Sequence, residues 1–159
     1  MSNHTNTQRK INYSLILDWQ QLHYFYGINL PNNFDQWPTM RVLIVDDSRI
    51  MRQIIRRSLK KAGFDQLEFA EAANGIEALD DFKKQKPDLI LSDWNMPKMD
   101  GIDLLQAIRG EDPNVPFGFI TAQSTLSLRE SARYYGAHFL ISKPFTSETL
   151  GAAVQAVLS

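Results

Sequence analysis

Leu89-Ile90-Leu91-Ser92-Asp93-Trp94-Asn95-Met96-Pro97 is an apolar run that ends in an acid and then in loop-forming residues. A short apolar run bounded by turn signals reads as a strand buried on both faces. The pattern recurs along the chain. Val42-Leu43-Ile44-Val45 closes on Asp46-Asp47, Phe117-Gly118-Phe119-Ile120 closes on Thr121, and Phe139-Leu140-Ile141 leads to Lys143-Pro144. Three carboxylates, a hydroxyl and an ammonium therefore stand at the ends of strand-like runs.

Outward from these runs the chain alternates. Strands are expected near 41–46, 66–70, 88–93, 115–120 and 138–142, and helices near 48–61, 74–85, 101–109, 124–135 and 146–158. Ser48, Asn74 and Thr146 suit helix N-caps, and Gly63 suits a helix stop. Helical spacing turns Met51, Ile54, Ile55 and Leu59 inward on the first helix, and Ile76, Leu79 and Phe82 on the second. It does the same for Ile102, Leu105 and Ile108 on the third and Leu150, Val154 and Val157 on the last. Five β–α units in series imply an α/β domain, a mainly parallel sheet with helices on both faces. Such sheets bind ligands beyond the carboxyl ends of their strands. That rule brings Asp46, Asp47, Asp93, Thr121 and Lys143 to one edge.

Composition narrows the function classes. The 159 residues carry a net charge of −1, with 43% hydrophobic and 22% charged residues. This balance gives no basis for bulk binding to nucleic acid or to an anionic membrane. With no cysteine, disulfide frameworks and thiolate metal sites are excluded. No apolar stretch approaches the roughly 20 residues of a membrane helix. No signal-peptide pattern is present at the start, so a cytoplasmic location is expected.

Residues 1–39 differ in character and form an N-terminal extension to a domain spanning 40–159. They begin polar and become aromatic between Tyr13 and Trp37. Leu15, Trp19, Leu22 and Tyr26 recur at helical spacing, which predicts one short amphipathic helix. Pro31 and Pro38 bracket a loop around Asn32 and Asn33. Met40, immediately before Arg41, is a candidate initiator.

The chemistry open to the clustered groups is specific. Oxygen-rich acid clusters suit hard cations such as Mg2+, which bind one or two carboxylates and keep several waters. A cation also relieves repulsion among crowded acids. A carboxylate can attack phosphorus to give an aspartyl phosphate, and the transferring group then needs positive charge and donors around its oxygens. Lys143 offers the charge and Thr121 the hydroxyl. Each residue alone has a plainer reading: a helix cap for Asp46-Asp47, a snorkelling lysine, a β-branched strand residue. Their joint occurrence at successive strand ends favours the site.

These segments closely resemble the receiver domains of response regulators, in particular the CheY-like, single-domain kind. The resemblance rests on Val42 to Ser48, Ser92 to Pro97, Met99-Asp100-Gly101, Thr121-Ala122 and Lys143-Pro144-Phe145, and spans about 41–158. It implies a flavodoxin-like (βα)5 three-layer sandwich with sheet order 2-1-3-4-5, the order of flavodoxin and CheY. It also implies roles: Asp93 as phosphoacceptor, Asp47 as direct Mg2+ ligand, Asp46 as ligand chiefly through water, and Asn95 as ligand through its carbonyl. Thr121 and Lys143 would engage the phosphoryl oxygens, with a cis peptide at Pro144. Asn95 and Gln123 match positions that tune phosphoryl lifetime. One position departs: receivers commonly carry an aromatic residue three places before the lysine, where this chain has Leu140. Phe139 is adjacent, but strand alternation points it to the opposite face.

Three functions compete. The leading one is a two-component signalling switch that takes a phosphoryl group on Asp93 from a histidine kinase or phosphotransfer protein. It would signal by protein contact in chemotaxis or motility, with the flagellar motor switch as the expected target and no output domain after Ser159. Its only reactions would be Mg-dependent self-phosphorylation and slow self-dephosphorylation. The alternatives are an intermediate in a multistep phosphorelay and an aspartyl-phosphate phosphohydrolase; the latter lacks a general acid or base near these strand ends. A flavin module is disfavoured because Asp46-Asp47 would repel the cofactor phosphate. The first helix carries Arg49, Arg52, Arg56, Arg57, Lys60 and Lys61, a solvated face or a docking surface for an acidic phosphodonor domain.

Overall fold

A computed structural model describes residues 39–158 of the chain. The amphipathic helix expected from Leu15 to Tyr26, and the rest of the extension before Thr39, lie outside the described residues. Five strands form the sheet: β1 (Arg41–Val45), β2 (Glu68–Ala72), β3 (Leu89–Ser92), β4 (Phe117–Thr121) and β5 (Phe139–Ser142). Five helices follow them in turn: α1 (Arg49–Lys61), α2 (Gly75–Lys84), α3 (Gly101–Glu111), α4 (Leu126–Tyr134) and α5 (Ser147–Leu158). All pairings are parallel and the order is β2-β1-β3-β4-β5. This is the flavodoxin-like arrangement expected from the resemblance.

Burial explains which strands lie inside. Every residue of β1, β3 and β4 is buried, whereas β2 and β5, at the two edges of the sheet, are for the most part only partly buried or exposed. Two cores flank the sheet. Leu43, Val45, Ile90, Phe117 and Phe119 pack on Ala78, Phe82, Leu104, Leu105, Ile108 and Ala132 of α2, α3 and α4. On the other face Val42, Ile44, Leu89, Leu91, Ile120 and Ile141 pack on Ile55 and Leu59 of α1 and Leu150, Val154 and Leu158 of α5. Each fully buried aliphatic or aromatic side chain contributes about 1.5–3 kcal/mol of transfer free energy, so the sheet and both layers form one cooperative body.

The expected helix starts hold. Ser48 Oγ accepts the Met51 N–H at 3.2 Å, and Thr146 Oγ1 accepts that of Thr149 at 3.1 Å. Asn74 Oδ1 accepts the Glu77 N–H at 3.0 Å, while Glu77 Oε2 reaches back to the Ala73 N–H at 3.0 Å. The arrangement is a variant of the capping box in which the glutamate returns to the residue before the cap rather than to the cap itself. Gly63, with φ of 98°, ends α1 in the left-handed conformation that glycine adopts without steric cost.

Several inward assignments shift. Ile54 and Ile76 are 40% and 45% exposed, and the smaller Ala78 meets the sheet on α2 instead. Leu104 joins Leu105 and Ile108 as buried on α3, and Leu158 is buried where Val157 is only partly so. The inward stripe is about 100° wide, so helical spacing alone leaves its edges open by one residue. β2 also sits two residues later than expected, because Arg41 pairs with Glu68.

Candidate functional site

The sheet's own ladder carries the functional residues to one edge. Past the last residue of β1, the Asp46 N–H donates to Ala72 O at 3.1 Å, and the Asp93 N–H donates to Val45 O at 2.8 Å. The Lys143 N–H donates to Thr121 O at 2.8 Å. Three acids on two adjacent central strands thereby converge, and one carboxylate oxygen from each of Asp46, Asp47 and Asp93 lies within 4.8 Å of the others.

Lys143 enters this cluster from β5. Its Nζ is 2.7 Å from Asp46 Oδ2 and 3.4 Å from Asp93 Oδ1. The Lys143–Pro144 peptide is cis, as the resemblance implied. Asp46 is buried and held at every polar group: Oδ1 accepts the Ser48 N–H at 2.8 Å, Oδ2 accepts Lys143, and its carbonyl accepts Arg52 Nη1 at 2.6 Å. Asp47, next to it, is exposed, and Asp93 is half-buried. Burial raises the Asp93 pKa above its ordinary value; Lys143 and the Trp94 N–H oppose that rise, and Asp46 adds to it.

The floor under Asp93 is close-packed. The Gly101 N–H donates to Trp94 O at 2.8 Å, and a Cβ at Gly101 would overlap the Asp93 carbonyl oxygen. Trp94 is buried against Phe119, ring centroids 4.7 Å apart. Ser92 Oγ donates to Asp93 O at 2.8 Å. Between these anchors Lys98 adopts φ of 66°, turning the loop back toward α3.

Thr121 is fully buried at the end of β4, and its Oγ1 accepts the Gln123 N–H at 3.3 Å, which leaves the hydroxyl hydrogen as a donor. Asn95 and Gln123 are exposed on the rim. The structure thus gathers Asp46, Asp47, Asp93 and Lys143 into direct proximity, with Thr121 bonded through its carbonyl to the Lys143 N–H and with Asn95 and Gln123 in the loops that follow Asp93 and Thr121.

The donor set fits a hard divalent cation. Asp46 already spends both carboxylate oxygens on Ser48 and Lys143, so Asp47 and Asp93 are the acids left to bind directly. Two carboxylates plus water is a usual Mg2+ environment. No helix among the described residues is long and apolar enough to cross a membrane.

Leu140 is in register with Phe119 and packs into the core shared by α2, α3 and α4, the same face as Thr121 two positions on. Phe139 belongs to the opposite core, so the alternation argument holds. Arg129 of α4 donates to Leu140 O and Ser142 Oγ, each at 3.2 Å.

One assignment on α1 is corrected. Arg49, Arg56, Arg57 and Lys60 are exposed and line a groove of about 340 Å³ with Gln53 and Glu71. Arg52 does not share that face: its side chain is only 13% exposed and turns to Glu71 and the Asp46 carbonyl. The sequence places Arg52 on the basic face of the helix but gives no sign of its bonds to Glu71 and the Asp46 carbonyl, nor of the reason for Gly101. Met99-Asp100-Gly101 was legible as a motif, but the close approach behind it was not.

The sequence profile described as response regulator receiver domain matches residues 42–155. A probable chemotaxis protein CheY from Rhizobium etli is 40% identical over 121 residues, 74% of this chain and 92% of that protein. Chemotaxis protein CheY-3 of Vibrio cholerae is 41% identical over 113 residues, 70% of this chain and 85% of that protein. Among solved structures, Vibrio cholerae chemotaxis protein CheY4 superposes with a TM-score of 0.69 at 34% identity, over 76% of this chain and 99% of that one. The signal receiver domain of the putative response regulator NarL from Mycobacterium tuberculosis does so with 0.69 at 28%, over 77% and 98%.

Proposed function

The chain belongs to the response regulator receiver domain family, and from that premise we propose that it is a phosphorylation-dependent switch of the chemotaxis type, charged on Asp93. The observation that supports this best is the bridge of Lys143 between Asp46 and Asp93 at the sheet edge. It sets a carboxylate nucleophile beside a fixed positive charge.

In the proposed transfer, an Asp93 carboxylate oxygen attacks the phosphorus of a phosphohistidine on a histidine kinase or phosphotransfer domain. The new O–P bond forms as the P–N bond breaks. The leaving imidazole nitrogen keeps the bonding pair and takes up a proton. Lys143 then has an anionic phosphoryl oxygen within reach, and the buried Thr121 hydroxyl donates to another. Mg2+, held by Asp47 and Asp93 with Asp46 through water and the Asn95 carbonyl, would supply the remaining positive charge. The transition state has little covalent chemistry for the protein to perform, so position and charge carry the catalysis.

Among the described residues, the ionisable groups gathered at Asp93 are Asp46, Asp47 and Lys143, the groups assigned here to the metal and the phosphoryl oxygens rather than to activating a water. The chain is therefore proposed to self-phosphorylate and to lose its phosphoryl group slowly, without turning over as a hydrolase. The exposed basic groove of Arg49, Arg56, Arg57 and Lys60 fits an acidic phosphodonor domain. Chemotaxis proteins among the relatives support a cytoplasmic role and a downstream protein of the motility apparatus, such as the flagellar motor switch.

Incubation of the full chain with Mg2+ and acetyl phosphate tests the reading. Roughly stoichiometric labelling, lost in Asp93→Asn, is expected. Rapid multiple turnover would replace the switch with a hydrolase, and absence of label in the wild type would overturn the site.

A further inference from the structure

Arg52 sits in the helix whose other basic residues face solvent, yet it serves the acid cluster. Nη1 donates to the Asp46 carbonyl at 2.6 Å, and Nε donates to Glu71 Oε2 at 2.9 Å. Glu71 is on β2 and Asp46 follows β1, so one guanidinium ties an edge strand, the first helix and the acid-bearing turn together. A planar guanidinium holds two acceptors in fixed relative directions, which an ammonium does not. The short bond to a backbone carbonyl is charge-assisted.

The residue so held is the rigid half of the acid pair. With its amide bound to Ala72, its carboxylate to Ser48 and Lys143, and its carbonyl to Arg52, Asp46 has little freedom. Asp47 is exposed and begins at the very peptide whose oxygen Arg52 grips. The direction in which Asp47 leaves the sheet edge therefore depends on that grip.

We propose that Arg52, oriented by Glu71, is a positioning residue for the acid cluster, fixing the Asp46–Asp47 peptide so that the Asp47 carboxylate faces a divalent cation. This rests on the metal site read above and adds a role that the docking reading of α1 does not contain. Groups that orient metal ligands typically change affinity by about 10–100-fold when removed.

The test is a Mg2+ titration of the full chain followed by tryptophan fluorescence, since Trp94 adjoins Asp93. Arg52→Ala is expected to raise the Mg2+ dissociation constant about tenfold, and Glu71→Gln to raise it less. Arg52→Lys keeps the charge but not the fork, so it should remain impaired. Labelling by acetyl phosphate should slow at limiting Mg2+ and recover at saturating Mg2+, a loss of affinity rather than of chemistry. Lys83→Ala, a cation remote on α2, should leave the titration unchanged.

Wild-type affinity in Arg52→Ala, full recovery in Arg52→Lys, or an equal shift in Lys83→Ala would each overturn the positioning role while the site reading stands. A wild-type chain that shows no Mg2+ response would overturn the metal site itself, and the positioning role with it. Thermal unfolding confirms that each variant is folded, and Glu71→Gln and Arg52→Lys keep the question open to refutation should Arg52→Ala not fold.

Discussion

Phe139 of β5 lies across Gly118 of β4, its ring filling the space where any other residue would carry a Cβ. The two are register partners, so the ring covers the glycine from the strand beside it. This commits Phe139 to the core of α1 and α5 and leaves the Thr121 face to Leu140. An aromatic residue is present at this place in β5, yet the backbone holds it away from Thr121.

The first prediction follows from that contact. Gly118→Ala should destabilise the domain by about 1–3 kcal/mol through overpacking. Phe139→Leu in the same chain should recover part of the loss, because the pair is coupled. Urea denaturation of the single and double variants measures both. Additive losses would show that the ring does not need the glycine.

Gly101 and Gly110 make a contrasting pair within α3. A Cβ at Gly101 would overlap the Asp93 carbonyl oxygen and lie 2.8 Å from Phe119 Cε1, whereas one at Gly110 would meet nothing within 4 Å. Gly101→Ala is expected to cost about 3 kcal/mol and to impair labelling by moving Asp93. Gly110→Ala should stabilise by about 0.5–1 kcal/mol. Thermal unfolding of the two variants should move in opposite directions.

Asp93→Asn should stabilise the metal-free protein at neutral pH. Burial raises the Asp93 pKa above 3.8, with Lys143 opposing. The folded chain thus binds this proton more tightly than the unfolded chain, so the contribution to stability is full below 3.8 and is lost as pH rises through the raised value. The neutral amide avoids that loss. With Mg2+ in excess the order should narrow or reverse, since a ligand at 100 times its dissociation constant stabilises the wild type by about 2.7 kcal/mol. A lower melting temperature for Asp93→Asn in EDTA at neutral pH would mean that the attraction of Lys143 exceeds the burial cost.

Outside the site, His138 contributes a pH dependence in the range below neutrality. Its Nδ1 accepts the Phe117 N–H at 3.2 Å, and burial, with help from Arg109, lowers its pKa below 6.5. The unfolded chain then binds the proton more readily. Stability from this group is full above 6.5 and is lost as pH falls through the lowered value. The residue is exposed enough that solvent keeps the effect small. His138→Asn retains an acceptor but does not titrate, so denaturation midpoints on the two sides of 6.5 should lie closer together than in the wild type. An unchanged gap would assign the dependence elsewhere.

Five β–α units, the N-caps at Ser48, Asn74 and Thr146, and the position of Asp46, Asp93, Thr121 and Lys143 at strand ends are all written locally in the chain. These are local properties: a short apolar run bounded by turn residues makes a buried strand, and a hydroxyl or amide before a helix satisfies its free N–H groups. Sheet direction then carries every strand end to one edge without any knowledge of contacts. The tertiary structure alone decided that Ala78 rather than Ile76 meets the sheet, that Arg52 leaves the basic face of α1 to hold the Asp46 carbonyl, and that Gly101 and Gly118 admit no side chain. Those facts depend on which surface arrives opposite a residue from far along the chain, and close packing leaves no spare volume there. Spacing along one helix or strand carries no record of what will be packed against it.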